Sequence, residues 1–437
     1  MKRKIGITGE HLKNSYPRGV QKVADGISRE LLNRSDIEVI VIKNIKYIYN
    51  DLVVEYEYLE EFISKKKQDQ IIKNDNRISK INIWNRRYSL AKYIYTKSFR
   101  YIGGSSKIRL LILHPIGKII KTINMRQQRN VTYQNTLTQS SNYIMIELLD
   151  AIISFECFED IWEWPWELYK CKIYGFVHDL IPFRIHEGPD HRPEIYLKKL
   201  SLMTVRANKL FCNSRSTKDD LEEYIPSSKN KAKVIYLGHD LDISNNKKMS
   251  SKIDNKTFTI IFVGTIDLRK NYHGFMSGLF MFRTRARDIN IHVKIAGHNP
   301  NRSQFLDIDA RAEAQNINIS WLGYIDTSSL TELYQKADML VYLSLWEGFG
   351  IPILEAMSAG IPVLTSSLSS MPEVGGKCVF YADPYDPGDI SNKLEKIFMM
   401  DSVTRYKLVN DGIERAKQFT WKRCVDTILS EIYFDEI

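Results

Sequence analysis

Two carboxylates, Glu347 and Glu355, bracket a run of small and ring-constrained residues: Gly348, Phe349, Gly350, Ile351 and Pro352. An apolar strand-like stretch ends near Leu343, and Gly348 and Gly350 then allow a tight turn. Pro352 suits the first helical position, where its missing N–H costs nothing. The pattern predicts a short helix over Ile353–Ala359, stopped by Gly360, with a strand from Pro362. A glycine-containing loop that opens a helix at the end of a parallel strand is an anion site, because its unpaired N–H groups and the helix dipole point at the ligand. Carboxylates beside it can accept hydrogen bonds from sugar or ribose hydroxyls. Glu355, expected in the first turn, has a simpler reading as a complement to the dipole.

A second element is expected at the same sheet edge. Gly264 and Thr265 follow the strand Thr259–Val263, and Arg269 and Lys270 stand just before a helix predicted from about Asn271. A solvated surface pair would explain the two cations. An arginine fork and a lysine point charge are also the usual partners of phosphate. One anion-friendly loop and one cationic loop on a single edge suggest a diphosphate between them.

These loops need a parallel sheet to hold them. Strands are expected at Lys4–Thr8, Glu38–Ile42, Ala151–Phe155, Lys172–His178, Lys209–Asn213 and Lys233–Leu237. Gly19 opens an amphipathic helix with Val20, Val23, Ala24, Ile27 and Leu31 on one face. Leu241–Lys256 is polar and reads as a linker. Beyond it, strands at Thr259–Val263, His292–Ala296, Ile317–Leu322, Met339–Leu343 and Pro362–Thr365 alternate with helices. The expected fold class is α/β: two Rossmann-like domains, 1–240 and 257–415, facing a central cleft.

The 437 residues allow two to three domains, and 43% hydrophobic with 26% charged residues excludes a disordered or fibrous chain. The basic start turns polar at once, so no signal peptide is expected, and no uninterrupted apolar run is long enough for a membrane span. Five scattered cysteines, Cys157, Cys171, Cys212, Cys378 and Cys424, read as reduced thiols of a cytoplasmic protein. The net charge of +10 is uneven: Ser64–Asn130 holds seventeen Lys and Arg against Asp69 and Asp75, leaving the remainder mildly acidic. Aromatics, among them Trp84, Tyr88 and Phe99, lie between these charges. The insert reads either as a solvated helical face or as an interfacial segment docking on anionic lipid.

At this point the motifs resemble those of a known family. Glu347 to Glu355 matches the E-x7-E motif of GT-B-fold retaining glycosyltransferases of the family 4 group, also called glycosyl transferases group 1. The match runs from Trp346 to Val363. Val263–Asn271 resembles that family's V-G-x-x-x-x-R-K-N loop, Tyr174–Pro182 its His-Asp segment, and Arg18-Gly19-Val20-Gln21 its Gly-Gly-Val-Gln loop, with Arg18 as a departure. The resemblance implies that Arg269 and Lys270 hold the donor diphosphate and that Glu355 binds the ribose. Glu347 with the backbone of Gly348, Phe349 and Gly350 would bind the donor sugar, with Ile351 and Pro352 beside the phosphates. Gly264 and Thr265 would line the donor site, Gly19 would let the first loop approach the diphosphate, and His178 would reach the sugar. It further implies transfer of a hexose with retention and without a metal or other cofactor. The donor would be a nucleotide-diphosphate sugar, GDP-mannose preferred, and the acceptor a lipid-linked or cell-surface polysaccharide at the inner face of a membrane. Residues 416–437 would form a terminal helix crossing back to the first domain.

Other signals compete with this reading. His178, His186 and His191 with Asp179, Glu187 and Asp190 fit no standard zinc spacing, and Asp179 suits orienting His178 or capping a turn. Asp307-Ile308-Asp309 and Asp240-Leu241-Asp242 spell a D-x-D too short to carry weight. Trp162, Trp164 and Trp166 suit either a core or a platform for an acceptor sugar. A nucleic-acid-binding protein using the basic insert is the alternative from another class, without a supporting RNA- or DNA-binding motif. A sugar-nucleotide epimerase of similar fold is the third.

Overall fold

The computed structural model describes residues 3–8, 19–48, 51–58, 142–145, 149–163, 171–185, 192–241, 257–299 and 302–433. The chain divides into two compact units, one of residues 1–59 with 144–437 and the other of residues 60–143. The basic segment 64–130, Trp164, Trp166, His186, His191, Arg18 and the expected linker after Leu241 lie outside the described residues.

The first sheet is built from β1 (Arg3–Thr8), β2 (Ile37–Ile48), β3 (Asp51–Tyr58), β4 (Asn142–Met145), β5 (Ala151–Ser154), β6 (Lys172–Val177), β7 (Lys209–Cys212) and β8 (Ala232–Val234). Their order is β4-β3-β2-β1-β5-β6-β7-β8. From β2 to β8 every pairing is parallel, and β3 turns back antiparallel on β2. The helices are α1 (Gly19–Leu32), α2 (Ile181–Arg184), α3 (Pro193–Arg206) and α4 (Arg215–Tyr224). Helix α1 begins at Gly19, and Val23, Ala24, Ile27 and Leu31 are buried along one stripe, as the 3.6-residue period requires. Ser214 caps α4 by accepting from the Thr217 N–H at 3.0 Å. Trp162 is fully buried in the core of this sheet and donates its indole N–H to the Glu156 carbonyl, so it fills the core.

The second sheet contains β9 (Thr257–Val263), β10 (Asn290–Ala296), β11 (Ile317–Gly323), β12 (Met339–Tyr342), β13 (Val363–Ser366) and β14 (Phe380–Ala382). Helices α5 (Tyr272–Arg285), α6 (Leu306–Ala314), α7 (Thr327–Lys336), α8 (Ile351–Ala359), α9 (Met371–Gly375) and α10 (Pro387–Phe398) alternate with these strands. The order is β11-β10-β9-β12-β13-β14, all parallel. The chain builds outward from β9 to β11 and then returns to the other flank of β9. The loops after β9 and β12 therefore leave neighbouring strands at their carboxyl ends, the switch point where open α/β sheets bind ligands. The central strands β12 and β13 are buried at every position and β9 at five of seven, as strands covered on both faces must be.

After α11 (Ser402–Ala416), helix α12 (Trp421–Tyr433) returns to the first sheet. Trp421 donates to Asp240 at 2.7 Å, Lys209 reaches the Glu431 carbonyl at 2.8 Å, and Arg34 pairs with Asp426. The Trp421 indole lies over Gly26, and its backbone N lies against Gly238: a Cβ on Gly238 would stand 2.2 Å from that nitrogen. Gly238→Ala must therefore push α12 away and lower the thermal midpoint. Gly412→Ala inside α11 meets only ordinary contacts from 3.4 Å, and should be neutral or stabilising by roughly 0.5–1 kcal/mol. Thermal melts of both variants check the contrast; equal melting temperatures would remove this constraint.

Candidate functional site

Gly350 takes φ 110° and acts as the N-cap of α8, so the helix begins at Ile351, with Pro352 second. This corrects two expectations. The start lies two residues earlier than Ile353, and Glu355 is not in the first turn but a turn deeper, where it is 2% exposed. A carboxylate so buried needs partners rather than a dipole alone. Lys22 of α1 donates to its Oε1 at 2.8 Å, and the Tyr334 hydroxyl of α7 donates to its Oε2 at 2.9 Å. Burial works against the Lys22 charge, yet Glu355 holds that ammonium above its ordinary pKa. Lys22 thus ties the first sheet's leading helix to the helix of the second.

The loop from Glu347 to Gly350 is held by its carbonyls. Ser369 and Ser370 donate to the Glu347 carbonyl at 2.7 and 3.0 Å, Thr217 to that of Gly348 at 3.2 Å, and Ser370 to that of Phe349 at 2.8 Å. No side chain caps the first turn of α8, so its N–H groups keep the anion-binding character of a helix start. A Cβ on Gly348 would lie 1.9 Å from the His178 carbonyl. Glycine is thus demanded where the loops after β6 and β12 meet.

Glu347, 9% exposed, is the centre of an ion cluster. Lys270 donates to it at 2.5 Å, and Arg269 pairs with the same oxygen. Lys270 also donates to the Tyr342 hydroxyl at 2.8 Å, with its ammonium 4.3 Å from that ring's centre. Asp267 caps the turn that presents both cations. Burial alone would raise the Glu347 carboxyl, but Arg269 and Lys270 pull it down to about 2. Burial likewise outweighs Glu347 at Lys270, whose pKa is lowered, while Glu347 and Asp267 overcome burial and raise that of Arg269.

Of the predicted residues, Glu347, Arg269 and Lys270 touch, and Gly264 lies against the Lys270 side chain. The exposed Thr265 shares its loop. Gly348, Phe349, Gly350, Ile351 and Pro352 lead from this cluster into α8, and Glu355 lies in that helix with Lys22 and Tyr334. The Phe349 ring packs against Tyr236 and Phe419, leaving only its backbone for a ligand. His178 bonds through Nε2 to the Phe155 carbonyl at 2.8 Å, and its own carbonyl faces Gly348. Asp179 accepts from the Ile181 N–H at 3.1 Å and so caps a turn. Asp309 lies in the exposed first turn of α6, accepting from the Trp321 indole. Sequence reasoning missed Tyr342, Tyr334 and Lys22; the usable signal was Lys22 falling one turn after Gly19.

Residues 243–419 match the family of glycosyl transferases group 1. That match covers less than half of the chain. Over 166 residues it is 36% identical to O-antigen chain mannosyltransferase B of Escherichia coli, covering 38% of this chain and 42% of that protein. Over 257 residues it is 26% identical to the O-antigen chain mannosyltransferase RfbU of Salmonella typhimurium, covering 58% and 68%. The chain spans less than half the length of the first curated relatives it matches. Among solved structures it is similar to Anabaena HepE, determined in complex with UDP and glucose, at a TM-score of 0.61 and 15% identity over 98% of this chain and 99% of that one. It is similar too to sucrose-phosphate synthase from Thermosynechococcus elongatus, at 0.62 and 14% over all of both chains. The fold is GT-B, with two Rossmann-like α/β domains. The matched stretch 243–419 contributes every member of the Glu347 cluster, and Lys22 comes from outside it.

Removing one member of a buried ion cluster leaves its partners' charge uncompensated, typically about 3–5 kcal/mol. Glu347→Gln should cost that order at neutral pH. Because the folded carboxyl titrates below its ordinary 4.5, its stabilisation is fully present above 4.5 and lost as pH falls towards 2. The gap between wild type and variant in denaturant melts should therefore narrow below pH 4.5; a gap constant with pH would contradict the depressed pKa.

Proposed function

We propose that the chain is a retaining glycosyltransferase that moves a hexose, with mannose from GDP-mannose preferred, from a nucleotide-diphosphate sugar to a hydroxyl of a lipid-linked or cell-surface polysaccharide. The observation that carries this reading is the buried Glu347–Arg269–Lys270 cluster beside the uncapped start of α8. Two cations and a helix start converge there, suited to a diphosphate, while carboxylates flank them, suited to hydroxyls. The names of the curated relatives support the mannosyl and O-antigen part of the proposal.

In this reading the bond between the anomeric carbon and the diphosphate oxygen breaks, and its electron pair leaves with the diphosphate. Arg269, Lys270 and the first N–H groups of α8 stabilise that developing charge. Glu355 accepts from the ribose hydroxyls. Glu347 and the backbone of Gly348, Phe349 and Gly350 hold the sugar, with Ile351 and Pro352 beside the phosphates. Gly264 and Thr265 line the phosphate side, Gly19 gives the first loop room, and His178 approaches the sugar from the first sheet. The acceptor oxygen bonds the anomeric carbon on the face the diphosphate leaves, and its proton passes to a phosphate oxygen. No metal or other cofactor enters this scheme.

Lys270→Ala should lower kcat by at least roughly 10²-fold, the usual loss for one transition-state donor. Glu355→Ala should instead weaken nucleotide-sugar binding, seen as a smaller melting shift with GDP-mannose. The wild type should melt higher with its nucleotide by mass action, and transfer should require an acceptor, unlike epimerisation. Near-wild-type turnover for Lys270→Ala would overturn the leaving-group role.

We also propose that residues 64–130 dock the enzyme on an anionic membrane surface at the cytoplasmic face. Among the described residues no helix is long and apolar enough to cross a membrane. Neutralising Lys65, Lys66, Lys67, Arg86 and Arg87 should reduce sedimentation with phosphatidylglycerol vesicles and leave nucleotide binding intact. Unchanged vesicle binding would refute the docking, and salt-sensitive RNA binding without vesicle binding would favour a nucleic-acid partner.

A further inference from the structure

Trp346, Glu347 and Gly348 are gripped alternately. The two flanking residues are bonded by side chains of the first sheet, and the middle one turns to the cations of the second. The Trp346 indole N–H donates to Asp220 Oδ2 at 3.0 Å. Asp220, 4% exposed on α4, gives its other oxygen to the Arg184 guanidinium, at 2.6 Å from Nη2 and 3.1 Å from Nε. That guanidinium stands over the Trp346 ring, 5.0 Å from its centre. One turn earlier on α4, Thr217 donates to the Gly348 carbonyl, and the His178 carbonyl closes the other side of Gly348. Between these anchors the Glu347 main chain has its N–H on Ser369 Oγ at 2.9 Å, and Arg269 donates to the Trp346 carbonyl at 3.2 Å.

A buried carboxylate is a costly way to hold two sheets together, since apolar packing of the same volume usually does as well. What a hydrogen-bonded carboxylate adds is direction. Asp220 uses one oxygen to fix the indole and the other to fix the arginine that faces it. We propose that Asp220 and Thr217 are positioning residues for the Glu347 carboxylate, so that α4 of the first sheet sets how the donor sugar is held in the second. This rests on the reading of Glu347 as a contact of the donor sugar. It predicts that the grip acts more on the sugar than on the nucleotide, because Glu355 is held by Lys22 and Tyr334, while Arg269 and Lys270, which share Glu347, are also held by Asp267 and the Tyr342 hydroxyl.

Calorimetric titration separates the two. Trp346→Phe removes the indole N–H together with one ring of the side chain, and the near-isosteric Thr217→Val removes the hydroxyl alone. Each should leave affinity for the bare nucleotide diphosphate within about 2-fold and weaken the nucleotide sugar by about 3- to 10-fold, the worth of one hydrogen bond. Asp220→Asn keeps an acceptor for the indole and should retain more of the sugar preference than Asp220→Ala. GDP with GDP-mannose, and UDP with UDP-glucose, are the probes. Parallel weakening of both members of a pair would show a merely structural role and overturn the proposal, as would an unchanged preference. A wild type that binds either pair, with variants unchanged, sinks the positioning role alone. A folded wild type that binds neither pair sinks the donor reading and this proposal with it.

Discussion

One buried carboxylate organises the second sheet's edge. Without Glu347, Arg269 and Lys270 would place two positive charges side by side in a protein interior, which neither Coulomb repulsion nor desolvation permits. With it, and with Asp267 paired to Arg269, the formal charges of the cluster balance. Much of the local architecture serves that arrangement. The parallel order puts the β9 and β12 loops side by side, Asp267 caps the turn bearing the cations, and two serines clamp the Glu347 main chain. Such a site is preorganised: the groups that would meet a diphosphate are held before it arrives.

The two sheets are joined by polar contacts of defined geometry rather than by an apolar seam alone. Glu373 on α9 accepts from the N–H groups of Arg215 and Ser216, both at 2.7 Å, while Ser214 takes the next one. A carboxylate of the second sheet thus completes the cap of a helix of the first. Lys22 with Glu355 and Trp421 with Asp240 add further ties. Hydrogen-bonded contacts of this kind specify a relative placement, and they can be exchanged for water when the sheets separate, which a large apolar interface resists.

Much of this was legible before any coordinates. The alternation of buried strands with helices gave the two Rossmann-like halves, and Trp346–Val363 showed its strand, turn and helix through glycine and proline alone. Where local pattern failed, the reason was non-local. The start of α8 shifted to Ile351 because Gly350 takes a left-handed backbone, and that shift carried Glu355 out of the first turn into the interior. Its partner Lys22 lies 333 residues away in sequence, and no periodicity links the two. Asp220 is one of several acids along α4, and nothing near it in sequence announces that an indole 126 residues away will meet it. Trp162 was ambiguous for the same reason: aromatic residues serve cores and binding surfaces alike, and only its complete burial decides.

Strands β3 and β4 are hydrogen-bonded neighbours at the edge of the first sheet, although residues 59–141 separate them in the chain. Adjacent strands lie about 4.8 Å apart, so this pairing joins stretches that are distant in the chain. The entropic cost of such a pairing depends only weakly on the number of residues between, about 0.6 kcal/mol for each doubling. The sheet thus works as a socket. Segments of very different size and charge can be exchanged there by insertion or deletion, while the strands that carry the Glu347 and Lys270 loops, in another sheet, keep their register. Divergence among proteins built on this plan is cheapest at this edge, where a new surface can be acquired without renegotiating the core.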